Sequence, residues 1–89
     1  MGKHLPSIRE RNLRALRHTA ERLEREFEYQ AESHYGEEGR WKFYRDSEAG
    51  GNPPAVVVTA ERAWIKALHA YYLARDGEGG VLGRYGRVA

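Results

Sequence analysis

The chain has 89 residues, with 15 Lys and Arg against 13 Asp and Glu, a net charge of +2, no cysteine and four histidines. That length holds one domain with a thin core, and the missing cysteine excludes disulfides, thiolate zinc sites, cysteine nucleophiles and redox motifs. The longest strictly apolar run, Ala55–Val58, is far below the ~20 residues of a membrane span, and the first residues carry no apolar secretory stretch, so we expect a cytoplasmic protein without a membrane partner.

Charge is unevenly spread. Residues 1–18 carry five basic side chains and one acid; residues 19–39 carry two and seven; residues 40–89 carry eight and five. The first element opens at Ser7-Ile8-Arg9-Glu10, which has the S-x-x-E form of a capping box. No proline or glycine follows until Gly36, and Arg, Ala, Leu and Glu dominate. These features predict a helix from Ile8 to His34, ~40 Å long at 1.5 Å per residue. Leu13, Leu16, Ala20, Leu23, Phe27, Ala31 and His34 recur at three and four residues and form a narrow apolar seam. Arg9 falls on the same line and interrupts it. Facing directly away from the seam, Arg11, Arg14, His18, Arg22 and Arg25 form a basic stripe. Glu10 and Glu21 precede Arg14 and Arg25 by four residues, and Glu26 follows Arg22 by four, so ion pairs along the helix would neutralise much of that stripe.

Gly36 and Gly39 break the helix. Arg40–Arg45 then alternates in part, with Trp41 and Phe43 on one side, which predicts a strand. Asp46–Pro54 reads as a turn-rich loop, and Ala55-Val56-Val57-Val58 as a short buried strand that pairs with the first as a hairpin. Thr59 suits an N-cap for a second helix from Ala60 to Arg75. That helix is apolar almost all round, and its alanines permit close helix approach. Asp76-Gly77 suits its end. The predicted fold is therefore α+β in the order α-β-β-α, one small domain over residues 1–76. Residues 77–89 form a glycine-rich tail, flexible or an edge strand on Val81-Leu82 and Tyr85. An all-α fold with an irregular middle is the alternative.

No motif points to catalysis. Glu24, Glu28 and Glu32 share a flank at four-residue spacing without a converging second element, no two histidines form the i, i+4 pair of a metal-binding helix, and the glycines after Gly77 lack the Lys-Ser/Thr of a phosphate loop. The sequence thus predicts a non-enzymatic protein-interaction module without cofactor, metal or small-molecule substrate. We expect it to self-associate as a homodimer and to act as a small regulator or inhibitor of a larger complex, of a phage or mobile-element character. Leu13, Leu16, Leu23 and Phe27 supply one interface seam, and Trp64, Leu68, Tyr71 and Tyr72 the large anchors that interfaces favour. The alternative is a nucleic-acid-binding protein that contacts phosphates through Arg11, Arg14, His18, Arg22 and Arg25, aided by Arg84, Tyr85 and Arg87 in the tail.

Overall fold

The computed structural model describes residues 7–84, with side-chain surroundings through residue 77. It contains three helices: α1 (Ile8–Tyr35), α2 (Gly39–Glu48) and α3 (Ala55–Arg84). The expected capping box starts α1. The Ser7 hydroxyl accepts the Glu10 backbone N–H at 3.0 Å, and the Ser7 N–H donates to Glu10 Oε1 at 2.8 Å. Those two bonds hold the Glu10 carboxyl below the usual carboxylate range. The helix ends at Gly36, whose φ of 81° is open to glycine at little cost and whose N–H donates to the Glu32 carbonyl at 2.8 Å.

The α-β-β-α expectation is overturned, because the described residues hold no strand and the all-α alternative fits. The segment read as the first strand, Arg40–Arg45, lies within α2. Helical spacing turns Arg40, Phe43 and Tyr44 inward together, while Trp41, which alternation placed beside Phe43, is 66% exposed. A ten-residue helix is marginal alone, so burial of Phe43 decides its form. The second expected strand, Ala55–Val58, is the first turn of α3. The Pro54 carbonyl accepts the N–H groups of Val57 and Val58 at 3.0 and 3.1 Å, and the helix starts at Ala55, five residues before the expected start at Ala60. Valine lowers helix propensity by well under 1 kcal/mol, whereas burying Val57 completely returns about 1.5–3 kcal/mol. An isolated two-stranded hairpin would also have been marginal.

The expected edge strand at Val81-Leu82 is overturned as well. Helical backbone continues to Arg84 after a break at Gly77, where φ is 80° and ψ 175°. Glycine weakens a helix by about 1 kcal/mol without forbidding it, and no strand among the described residues offers this segment a ladder.

α1 and α3 run antiparallel: Phe27 stacks on Trp64, while at the other end Arg9 reaches Ala74 and Arg75. Arg9 Nη2 donates to the carbonyls of those two residues at 3.4 and 3.0 Å. A cation thus sits on carbonyls left open by the Gly77 break, the polarity the helix dipole favours. This explains the arginine that interrupts the seam. α2 packs on the C-terminal half of α1 and leaves the N-terminal half beside α3 alone. The core cluster is Phe27, Ala31, Phe43, Val57 and Trp64. Among the described residues α2 alone packs on the α1–α3 pair, on one side and at one end.

Candidate functional site

Polar chemistry converges most strongly at Arg40 on α2. Its Nη1 lies 2.8 Å from Glu28 Oε2 and 3.2 Å from Glu24 Oε2, and its guanidinium sits 4.7 Å from the Trp64 ring centre and 5.7 Å from that of Phe27. One side chain therefore joins two α1 carboxylates to the aromatic core and ties all three helices together. The acidic flank of α1 is part of this structural clamp, and Glu32 alone of the three carboxylates faces solvent without joining it.

Two tyrosine–carboxylate bonds brace α2. The Tyr35 hydroxyl donates to Asp46 Oδ2 at 2.6 Å, and the Tyr44 hydroxyl donates to Glu61 Oε2 at 3.2 Å. The bond to Asp46, with partial desolvation and the Asp46 charge, pushes the Tyr35 pKa up to about 12. Burial, followed by the Glu61 charge and bond, pushes Tyr44 up to about 12. A raised folded pKa means the folded state holds its proton longer than the unfolded chain. The stabilisation is complete below tyrosine's ordinary value of about 10 and is lost as pH climbs from about 10 to 12. We expect a melting temperature that is steady to about pH 9.5 and then falls across that window. The fall should flatten in a Tyr35→Phe/Tyr44→Phe double variant. Parallel melting curves for wild type and variant would refute the coupling.

Three further surfaces lie away from this clamp. The first is an open groove of ≈ 370 Å³ between α1 and α3, lined by Leu16, Thr19, Leu23, Ala63, Lys66, Ala67 and Ala70. Apart from the Lys66 head and the Thr19 hydroxyl, its lining is apolar. At about 100° per residue, Leu16, Thr19 and Leu23 lie to one side of the seam and the Arg40-binding Glu24 and Glu28 to the other, so the groove opens away from α2. The second is a hollow formed by Glu10, Leu13, Arg14, Arg17 and Tyr71. The third is the basic stripe: Arg11, Arg14, His18, Arg22 and Arg25 are all exposed.

The expected interface residues are divided among these places. Leu16 and Leu23 come together in the groove, and Leu13 meets Tyr71 in the hollow. Phe27 and Trp64 are in the core, 0% and 9% exposed, and Leu68 packs against it. Tyr72 lies beside Tyr71 with ring centres 5.4 Å apart, and the Arg75 guanidinium covers both rings at 4.9 and 5.5 Å. Hydrogen bonds to Asp76 and Tyr71 raise the Arg75 pKa. The Arg84 side chain, Tyr85 and Arg87 lie outside the described residues. Sequence reasoning did not single out Arg40, or Ala63, Ala67 and Ala70 as groove lining. The signals were two carboxylates four residues apart, which one cation can bridge, and alanines recurring at helical spacing.

Among the described residues no group of three or more His, Asp or Glu side chains is placed to hold a metal ion, and no helix is long and apolar enough to cross a membrane. Comparison with protein-family models, curated proteins and solved structures finds no match to the chain.

Proposed function

We propose that the protein is a non-enzymatic interaction module that self-associates through the open α1–α3 face. The observation that carries this reading is the apolar groove of Leu16, Leu23, Ala63, Ala67 and Ala70 on the side that α2 leaves bare. A two-fold partner must meet the same patch that it presents, and this patch complements itself. Leu16 and Leu23 are bulky and half-buried on α1, while the facing stretch of α3 presents alanines over which a partner's leucines can seat. Two helices each about 10 Å across, over the ~27 Å from residue 12 to residue 30, offer roughly 540 Å² of projected face. That is the order of the ~800 Å² per partner typical of stable interfaces. Pairing would place a second helical layer over a core too thin for one chain.

Light scattering of the full chain, at concentrations from micromolar to near-millimolar, tests the reading. The expected result is twice the monomer mass for wild type. Leu16→Glu should give a monomer that keeps its helical circular dichroism. Thr19→Glu, at a position exposed in the monomer, should do the same without threatening the fold. A wild-type monomer throughout the range, or unchanged mass in both variants, would rule the groove out.

A further inference from the structure

The basic stripe is less compensated in the folded chain than its sequence suggests. The expected Glu21–Arg25 and Arg22–Glu26 pairs are absent. Arg17 Nε lies 3.8 Å from Glu21 Oε2, and Gln30 Nε2 donates to Glu26 Oε2 at 2.9 Å. Glu24 and Glu28 hold Arg40, and Glu10 is engaged in the capping box, where Arg14 adds only a weak charge effect. Among the described residues Arg11, Arg22 and Arg25 consequently have no acidic partner. Four exposed arginines and His18 run ~21 Å along one helix face at 1.5 Å per residue. Like charges three and four residues apart cost a few tenths of a kcal/mol per pair, and no ion pair with Arg11, Arg22 or Arg25 among the described residues offsets it.

We propose that this line binds the phosphate backbone of duplex nucleic acid, without reading its sequence. A straight row of guanidinium groups on a rigid helix complements a linear polyanion, and its length covers about six phosphates of one strand at 3.4 Å each. Arginine also suits phosphate through its two-pronged donor geometry. An anionic lipid surface shares the phosphate chemistry and fits less well. A helix lying on a membrane places an apolar face beside its cations and buries it, whereas the apolar face of α1 points the opposite way and is packed against α3. The stripe and the groove occupy different faces, so this inference does not rest on self-association.

The test is fluorescence anisotropy of a labelled duplex DNA of arbitrary sequence, with the full chain as titrant. With four phosphate contacts, affinity should fall about 150-fold between about 50 and 200 mM KCl. Reversing Arg11, Arg14, Arg22 and Arg25 to Glu should abolish binding. Changing the same four to Gln, which preserves helix propensity, should weaken it at least about 30-fold at the lower salt with unchanged circular dichroism. Arg45→Glu/Arg62→Glu, which alters exposed charge elsewhere, should stay within about threefold of wild type. Three results would overturn the proposal: no wild-type binding at low salt, equal losses in the stripe and control variants, or binding to phosphatidylserine vesicles with none to the duplex.

Discussion

Phe27→Ala should remove a large share of the protein's stability. Phe27 is fully buried. It stacks on Trp64 with ring centres 5.5 Å apart and an interplanar angle of 14°, and it meets Phe43 and Tyr44 edge-on at 5.5 and 5.9 Å. It therefore touches an aromatic side chain on each of the other two helices. Truncating a buried Phe to Ala costs about 3–5 kcal/mol, and aromatic pairs add about 0.5–1.5 kcal/mol beyond area burial. The whole stability of a domain this size is on the order of 4–13 kcal/mol. At about 4–8 °C per kcal/mol, the melting temperature should fall by well over 10 °C. Tyr29→Ala provides the comparison. Tyr29 is two residues along the same helix and 64% exposed, so its loss should stay within about 0.5 kcal/mol. Thermal melts at one fixed protomer concentration decide the matter, because association would itself move the midpoint. Equal losses for the two variants would mean that the aromatic cluster is not the core.

The cluster also shows how far the sequence could be read and where it stopped. α1 was legible because every local preference agreed. A capping box, uninterrupted helix formers and a phased seam all pointed to Ile8, and Gly36 ended the run one residue beyond the expected His34. Residues 40–45 were not legible because six residues cannot separate a period of two from one of 3.6. Trp41 and Phe43 fit alternation; Arg40, Phe43 and Tyr44 fit a helix, and the choice is made by α1 and α3, which bury Phe43 and seat Arg40 on Glu24 and Glu28. The valines at 56–58 misled for a related reason, since their β preference is weaker than the gain from burying Val57. The all-round apolar character of the second helix was legible in its residues. It did not reveal that Trp64 would turn inward while Ala63, Ala67 and Ala70 stayed at the open groove. The basic stripe was legible as a line, but that Arg11, Arg22 and Arg25 lack an acidic partner among the described residues was not. Whether Glu21 pairs with Arg17 or Arg25 depends on side-chain positions that spacing alone leaves equivalent.

Gly39→Ala should destabilise the protein even though alanine is the better helix former. Gly39 is the first residue of α2 and is buried against α1. A Cβ added there would lie 2.5 Å from the Ala31 carbonyl oxygen, 2.6 Å from the Ala31 carbonyl carbon and 2.8 Å from the Glu32 nitrogen. All three are backbone atoms, so no side-chain rotation relieves the overlap. α1 is held in place by α3, and the relief must come from α2 moving outward. That movement would pull Arg40 from Glu24 and Glu28 and lift Phe43 off Phe27. Helix propensity alone predicts a gain of up to about 1 kcal/mol for Gly→Ala, while overpacking costs about 1–3 kcal/mol, occasionally more. The sign of the change therefore tests the close approach directly. Gly36→Ala separates the two kinds of glycine in the same connection. Its Cβ would meet nothing within 4 Å, but its φ of 81° with ψ −154° is a conformation reserved almost wholly for glycine, so a loss of about 1–3 kcal/mol is expected from backbone strain alone. Urea midpoints should show both variants below wild type. Near-ultraviolet circular dichroism should change only for Gly39→Ala, where the aromatic cluster is disturbed. A Gly39→Ala protein more stable than wild type would show that α2 does not sit against the α1 backbone, and the clamp built on Arg40 would fall with it.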